Sequence, residues 1–343
     1  MTSAPAEGSA VARQTILARQ TTLAGAVTVA GPGLHSGRRA TVTLHPAGAD
    51  HGRQVAAAGR APVPMTWAHW VPNQMSTSID LGEGRTIRTI EHLMAALSAL
   101  GIDNLRVEVD GAELPIFDGS AAPWCAGLRA AGIVALDAPR RAIRVRAPVQ
   151  VERDGGFLRV EPGEGFTVDV THDLLPAFPV MRWCGAVDAL RFERELARAR
   201  SFGNLHRRLG LTPKPGPRPP GHPPVSPNTS DPGVACDAAP WAEIERRRAL
   251  RSGPEPLLRG WRPWRASVIV HGRQLPWPRF RDEPVRHVAL DLIGDLALAG
   301  HPLLGRVVAH NPSHEKTFAL VAALMGRREC WDLVEPQDVR SPA

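Results

Sequence analysis

The segment Arg286-His287-Val288-Ala289-Leu290-Asp291-Leu292-Ile293-Gly294-Asp295 constrains this chain more than any other. Its histidine and two carboxylates stand at i, i+4 and i+8, which at 3.6 residues per turn puts them within about 80° of arc on one helical stripe. Leu290, Leu292, Ile293, Leu296 and Leu298 cover the remaining faces, so the helix is expected to be buried on most sides. Carboxylates in such surroundings cost several kcal/mol unless they are paired or bound to a metal. An imidazole and a carboxylate one turn apart reach a single ion. The stripe therefore reads as a ligand line, or else as a buried helix whose carboxylates pair with arginines of neighbouring elements.

A chain of 343 residues, 43% of them hydrophobic, has room and apolar matter for two domains and a sizeable core. Cys125, Cys184, Cys236 and Cys330 form no CxxC pair, which argues against a thiolate metal site and fits a reducing compartment. No run of 18 uncharged apolar residues predicts a membrane span. Residues 1–18 read as a flexible tail rather than a signal peptide, for want of a long apolar stretch. The cytoplasm is the expected location. The net charge of +7 is carried almost wholly by arginine and favours an anionic ligand such as a nucleotide. A basic patch interleaved with aromatics is missing, so nucleic acid is not an expected partner.

Strands with turns are expected over 21–46, then a helix from about Ile90 to Leu100 with Thr89 as N-cap and Gly101 as stop. A strand at Leu105–Val109 and a helical stretch at Ala121–Ala131 follow. A boundary near Asp137–Arg141 separates a first domain, 19–138, from a second, 142–335. The second begins with strands at Ala142–Val151, Gly156–Val160 and Phe166–Val170, and Phe192–Arg200 looks helical. Later come a helix at 284–299 ended by Gly300, a strand at Gly305–His310 and a helix at Lys316–Met325. The halves echo each other: a helix bearing His92 or His287, a glycine stop, then Leu105-Arg106-Val107 or Gly305-Arg306-Val307. The echo suits a duplicated α+β unit with both histidines at a central seam. The stretch 206–278 differs. Thr212–Pro224 is proline-dense, Glu243–Arg251 reads as a short solvated helix, and Arg259–Trp264 follows neither period. Ala266–Val270 alone looks like a strand. The stretch is an insertion, a linker or damaged sequence.

Two further motifs bear chemistry. Glu91-His92 opens the first helix; by itself it fits a solvated first-turn Glu beside a surface His. Beside the later His-x3-Asp, His92, His287 and Asp291 make the three-ligand set of a catalytic zinc, with Glu91 as base toward water. His314 stands between a strand and a helix, where a His is often only a cap. Asp295 is the carboxylate placed to orient it.

Together these segments resemble the zinc-dependent UDP-3-O-acyl-N-acetylglucosamine deacetylases of lipid A biosynthesis. The resemblance rests on Gly31-Pro32-Gly33-Leu34-His35-Ser36-Gly37, Thr89-Ile90-Glu91-His92-Leu93-Met94-Ala95-Ala96-Leu97 and Gly101-Ile102-Asp103-Asn104. It continues through Glu113–Ala121, Ala197–Gly203 and the 286–295 stripe, in order, over about 20–205 and 279–333. It implies two similar α+β domains whose helices pack between two sheets, with the active site at their seam. It further implies His92, His287 and Asp291 as zinc ligands (ferrous iron suits the same set), Glu91 as general base, and His314 as general acid held by Asp295. Ser201 and Phe202 would line the substrate, an acylated UDP-sugar, and the chain would act as a monomer. Three departures stand out: Val288 replaces the family's lysine, Glu315-Lys316-Thr317 follows His314 in place of His-x-x-Asn, and 206–278 lacks the Gly-Gly-Ser-Leu-Asp-Asn-Ala segment. Lys316 is the candidate to replace the lost lysine. The alternative these departures leave is a catalytically silent relative that binds metal or the acylated UDP-sugar.

Overall fold

The computed structural model describes residues 18–73, 75–173, 180–204, 235–236, 239–249, 257–262, 264–270 and 273–335. Most of the expected tail and the proline-dense Thr212–Pro224 lie outside the described residues. Two sheets form the outer layers. One is five-stranded, in the order Val27–Pro32, Arg39–Pro46, Leu105–Val109, Arg53–Ala57, Val63–Pro64. Its neighbours pair antiparallel except Leu105–Val109 with Arg53–Ala57, which run parallel. Alternation makes the second of these strands legible: in Arg39–Pro46 the side chains of Ala40, Val42 and Leu44 turn into the core.

The second half repeats this plan. Val149–Arg153, Gly156–Glu161, Leu303–His310, Phe166–His172 and Met181–Ala186 lie side by side in that order. The third and fourth strands again run parallel, and the others antiparallel. Ala235–Cys236 joins one edge, while Ala142–Val145 and Trp331–Val334 extend the sheet to eight strands. The run expected over Ala142–Val151 is thus two strands with different partners. In each half, the central strand follows a helix stopped by a left-handed glycine, Gly101 (φ 72°) or Gly300 (φ 90°).

The helices among the described residues pack against one another and against these sheets. They are α1 (Glu91–Leu100), α2 (Ala122–Ala131), α3 (Ala189–Glu195), α4 (Ala239–Ala249), α5 (Glu283–Leu296) and α6 (His314–Gly326). α1 packs along α5, α2 sits on strand Val27–Pro32, and α6 covers Val149–Arg153 and Gly156–Glu161. The α+β class expected from the sequence is what forms. α1 and α5 are apolar on nearly every face because they have neighbours on nearly every face: Leu93, Met94, Ala95, Ala96 and Leu97 are buried, as are Ala289, Leu290, Leu292 and Ile293. One continuous apolar core spans both halves.

Several local expectations shift. Thr89 does not cap α1; it holds a left-handed φ of 61° and its hydroxyl donates to Glu113 Oε1 at 3.2 Å. Helix α3 ends at Glu195, short of Arg200, because the chain that follows turns inward to serve other partners. The stretch 206–278 is only partly foreign. Ser267–Val270 pairs parallel with Phe202–Asn204 and antiparallel with Arg273–Leu275. Helix α4, expected to be solvated, buries Ile244 in the core and lays Arg247 over the Phe318 ring, 5.1 Å from its centroid. Among the described residues no helix is long and apolar enough to cross a membrane.

Candidate metal centre and acid–base pair

The site forms where α1 crosses α5. Gly294 permits the crossing, since a Cβ there would lie 2.1 Å from the Glu91 carbonyl oxygen. That approach brings the start of α1 against the ligand stripe of α5. His92 Nε2 lies 3.4 Å from Asp291 Oδ1, and His287 Nε2 lies 3.2 Å from Asp291 Oδ2. The two imidazoles meet edge to face with centroids 5.1 Å apart. One donor atom from each of His92, His287 and Asp291 lies within 4.8 Å of the others.

These residues suit a cation. His287 Nδ1 is 3.1 Å from the Ala199 carbonyl, so that nitrogen carries the proton and Nε2 presents its lone pair to the cluster. Asp291 Oδ1 and His92 Nδ1 are buried with no hydrogen-bond partner, an unusual cost for polar atoms. Burial alone would raise the Asp291 carboxyl, but the two imidazoles hold it far below the usual carboxylate range. Burial alone would lower His287; Asp291 wins and holds it above its ordinary value. Two imidazoles and a carboxylate with converging lone pairs are a known ligand set for zinc and ferrous iron.

Two proton-handling groups stand beside the cluster. The Glu91 carboxyl is raised by burial, against the pull of His314 and His92, and its Oε2 accepts the Thr77 amide at 2.9 Å. His314 opens α6 behind the N-cap Ser313, and its Nδ1 lies 2.7 Å from Asp295 Oδ2. Burial would depress His314, yet Asp295, helped by Glu91 and Asp291, pushes it up to about 10. The structure therefore brings together Glu91, His92, His287, Asp291, Asp295 and His314, which the sequence had scattered over more than two hundred positions. Ser201 and Phe202 join them: Ser201 Oγ is 3.1 Å from His287 Nε2, and the Phe202 ring stands edge-on to His287 at 6.2 Å.

Lys316 is not at this centre. Its ammonium donates to the Asn311 carbonyl at 2.9 Å, and Val288 packs against the core. Sequence reasoning also missed Thr77, whose hydroxyl lies between Asp295 and His314, and the Arg200–Glu283 pair. Glu283 accepts from Arg200 N, Nε and Nη2, from Gln274 Nε2 and from the Arg279 amide. That knot fixes the chain just before Ser201. Arg200 shares its motif with Arg198, which is exposed, so nothing in the sequence singled it out as the buried arginine of the two.

A buried acid–base pair beside a two-histidine, one-aspartate set is the equipment of a metal-assisted hydrolase. The chain belongs to the UDP-3-O-acyl N-acetylglycosamine deacetylase family, whose profile matches residues 20–212 and 258–326. Among its relatives, the UDP-3-O-acyl-N-acetylglucosamine deacetylase of Acidithiobacillus ferrooxidans is 34% identical over 320 residues, covering 90% of this chain and 91% of the relative. The enzymes of the same name from Anaeromyxobacter sp. (38% identical; 88% and 87% covered) and Anaeromyxobacter dehalogenans (36%; 85% and 83%) are similar. The family match takes in 258–278, so the departure from the family narrows to 213–257.

Proposed function

We propose that this chain is a zinc-dependent deacetylase that hydrolyses the acetamide of UDP-3-O-acyl-N-acetylglucosamine, releasing acetate, as a cytoplasmic step of lipid A biosynthesis. The observation that carries the reading is the convergence of His92, His287 and Asp291 beside Glu91 and the Asp295–His314 pair. His92, His287 and Asp291 would hold the metal. Bound there, it supplies polarisation of the amide carbonyl and a lowered water pKa.

The protein's own groups do the rest. Glu91, its carboxyl raised by burial, accepts a proton as water adds to the carbonyl carbon. His314 enters the reaction protonated, because Asp295 keeps its proton on well beyond neutrality. It gives the Nε2 proton to the nitrogen as the carbon–nitrogen bond breaks, leaving acetate and a free amine. Ser201 and Phe202, next to His287, would contact the substrate near the reacting carbonyl. Purified chain should release acetate from the acylated UDP-sugar, and Glu91→Ala should abolish the release. A silent relative is the second reading, favoured by Val288 and by Lys316 being held at Asn311. Full metal binding without acetate release is the result that would select it.

A further inference from the structure

Thr77 sits where three parts of the site meet. It immediately precedes the strand Ser78–Gly82 and is fully buried. Its amide donates to Glu91 Oε2 at 2.9 Å, and its carbonyl accepts from Ile90 N at 3.3 Å. The Thr77 backbone is thus fastened to the first turn of α1. Its side chain reaches into the other half of the chain: Oγ1 lies 2.5 Å from Asp295 Oδ1 and 3.1 Å from His314 Nδ1.

Counting donors fixes the protons. An ionised carboxylate only accepts, so the Thr77 hydroxyl must donate to Asp295 Oδ1. The hydroxyl's lone pairs then face a donor, and His314 Nδ1, 2.7 Å from Asp295 Oδ2, is that donor. Thr77, Asp295 and His314 close a ring in which each hydrogen-bonding atom has a partner. His314 Nδ1 is committed as a donor, which leaves Nε2 as the nitrogen able to exchange a proton outside the ring. Without the hydroxyl, Asp295 Oδ1 becomes a buried acceptor lacking its donor, and the single bond from His314 Nδ1 to Oδ2 is left to orient the carboxylate.

We propose that Thr77 is a positioning residue that sets the base and the acid relative to one another, holding Glu91 through its amide and His314 through its hydroxyl. The assignment rests on the roles given above to Glu91 and His314. Those two residues open helices from different halves of the chain, and both must address one carbon–nitrogen bond. A misplacement of about 1 Å at such a bond costs on the order of 10²-fold in rate. Side-chain substitutions leave the amide contact in place, so they test the hydroxyl alone.

Thr77→Val keeps the shape and deletes the hydroxyl, while Thr77→Ser keeps the hydroxyl and deletes a methyl. In the metal-loaded chain, Thr77→Val should lower kcat about 10–100-fold, with KM and bound metal unchanged, and Thr77→Ser should restore kcat. With 15N-labelled histidine, the Nδ1–H resonance of His314 should be displaced in Thr77→Val and return in Thr77→Ser. The resonance needs no turnover. If the unmutated chain releases no acetate, the deacetylase reading fails and the resonance alone decides the Thr77 proposal. An unmoved resonance overturns it. So does an unchanged kcat in Thr77→Val, a kcat loss that merely follows metal loss, or a Thr77→Ser variant as slow as Thr77→Val.

Discussion

Burial acts on both proton-handling residues, and its outcome differs with their charge type. Desolvation raises the Glu91 carboxyl and poises it as a base, whereas His314 is raised to about 10 despite desolvation, through Asp295 first and then Glu91 and Asp291. Glu91→Gln removes the base while keeping a group of the same shape for the Thr77 amide. Its kcat should fall roughly 10²–10⁴-fold with metal content unchanged; a wild-type kcat would remove Glu91 from the mechanism. The sign for His314 follows from its raised value. The fold favours the protonated imidazole, fully held below the ordinary 6.5 and lost as pH rises through about 10. Asp295→Asn removes the chief cause, so the alkaline limb of kcat/KM should move to lower pH than in the unmutated chain. A limb that stays in place would show that another group carries it. The ligand stripe was legible because His287, Asp291 and Asp295 recur at one-turn spacing. Thr77 was not, because its partners Asp295 and His314 lie 218 and 237 positions away and nothing periodic marks it.

At the scale of elements, the crossing of α1 and α5 decides whether a site exists. Gly294 lies inside a helix, where alanine would ordinarily be favoured by about 1 kcal/mol. Here the added Cβ would meet the Glu91 carbonyl at 2.1 Å, and backbone cannot yield cheaply. Overpacking of this kind costs about 1–3 kcal/mol or more, so steric cost outweighs propensity. Gly294→Ala should lower the unfolding midpoint in urea and weaken metal binding together, because the ligands come from both helices. Stability gained with metal affinity intact would contradict the crossing. The Arg200–Glu283 knot makes a second element-level prediction. Glu283 is fully buried with five donors on its carboxylate, and removing one partner of a buried pair costs about 3–5 kcal/mol. Urea unfolding of Glu283→Ala should show a loss of that order; a loss under 1 kcal/mol would mean the pair is solvated. Element positions were largely legible where one period ran unbroken, as in Leu105–Val109. They were less so at Phe192–Arg200, where the helical pattern continues but the backbone leaves it so that Ala199 can accept from His287 and Arg200 can reach Glu283.

For the whole molecule, the repeated sheet order explains why the two histidines meet. Each half places its histidine on the helix leading into the central strand, and packing the halves face to face sets α1 on α5. We propose 19–138 and 142–335 as the two domains, which puts His92 on one side of the seam and His287 and Asp291 on the other. A metal held across that seam binds the folded chain and not the unfolded one. At 100 times its Kd it should add about 2.7 kcal/mol of stability, read as a Tm that falls on chelation and recovers on reloading. The sequence signalled this duplication only faintly, through a helix, a glycine and a strand, because the central strand of each sheet pairs with strands far from it in the chain. Strand order leaves no local mark.

The central claim is that one metal-bearing seam performs the deacetylation, and the most direct measurement compares acetate release by metal-stripped and reloaded chain. Stripped chain should release none from UDP-3-O-acyl-N-acetylglucosamine, and turnover should rise with added zinc to a plateau at one equivalent. Release that persists undiminished in fully stripped chain would contradict the account.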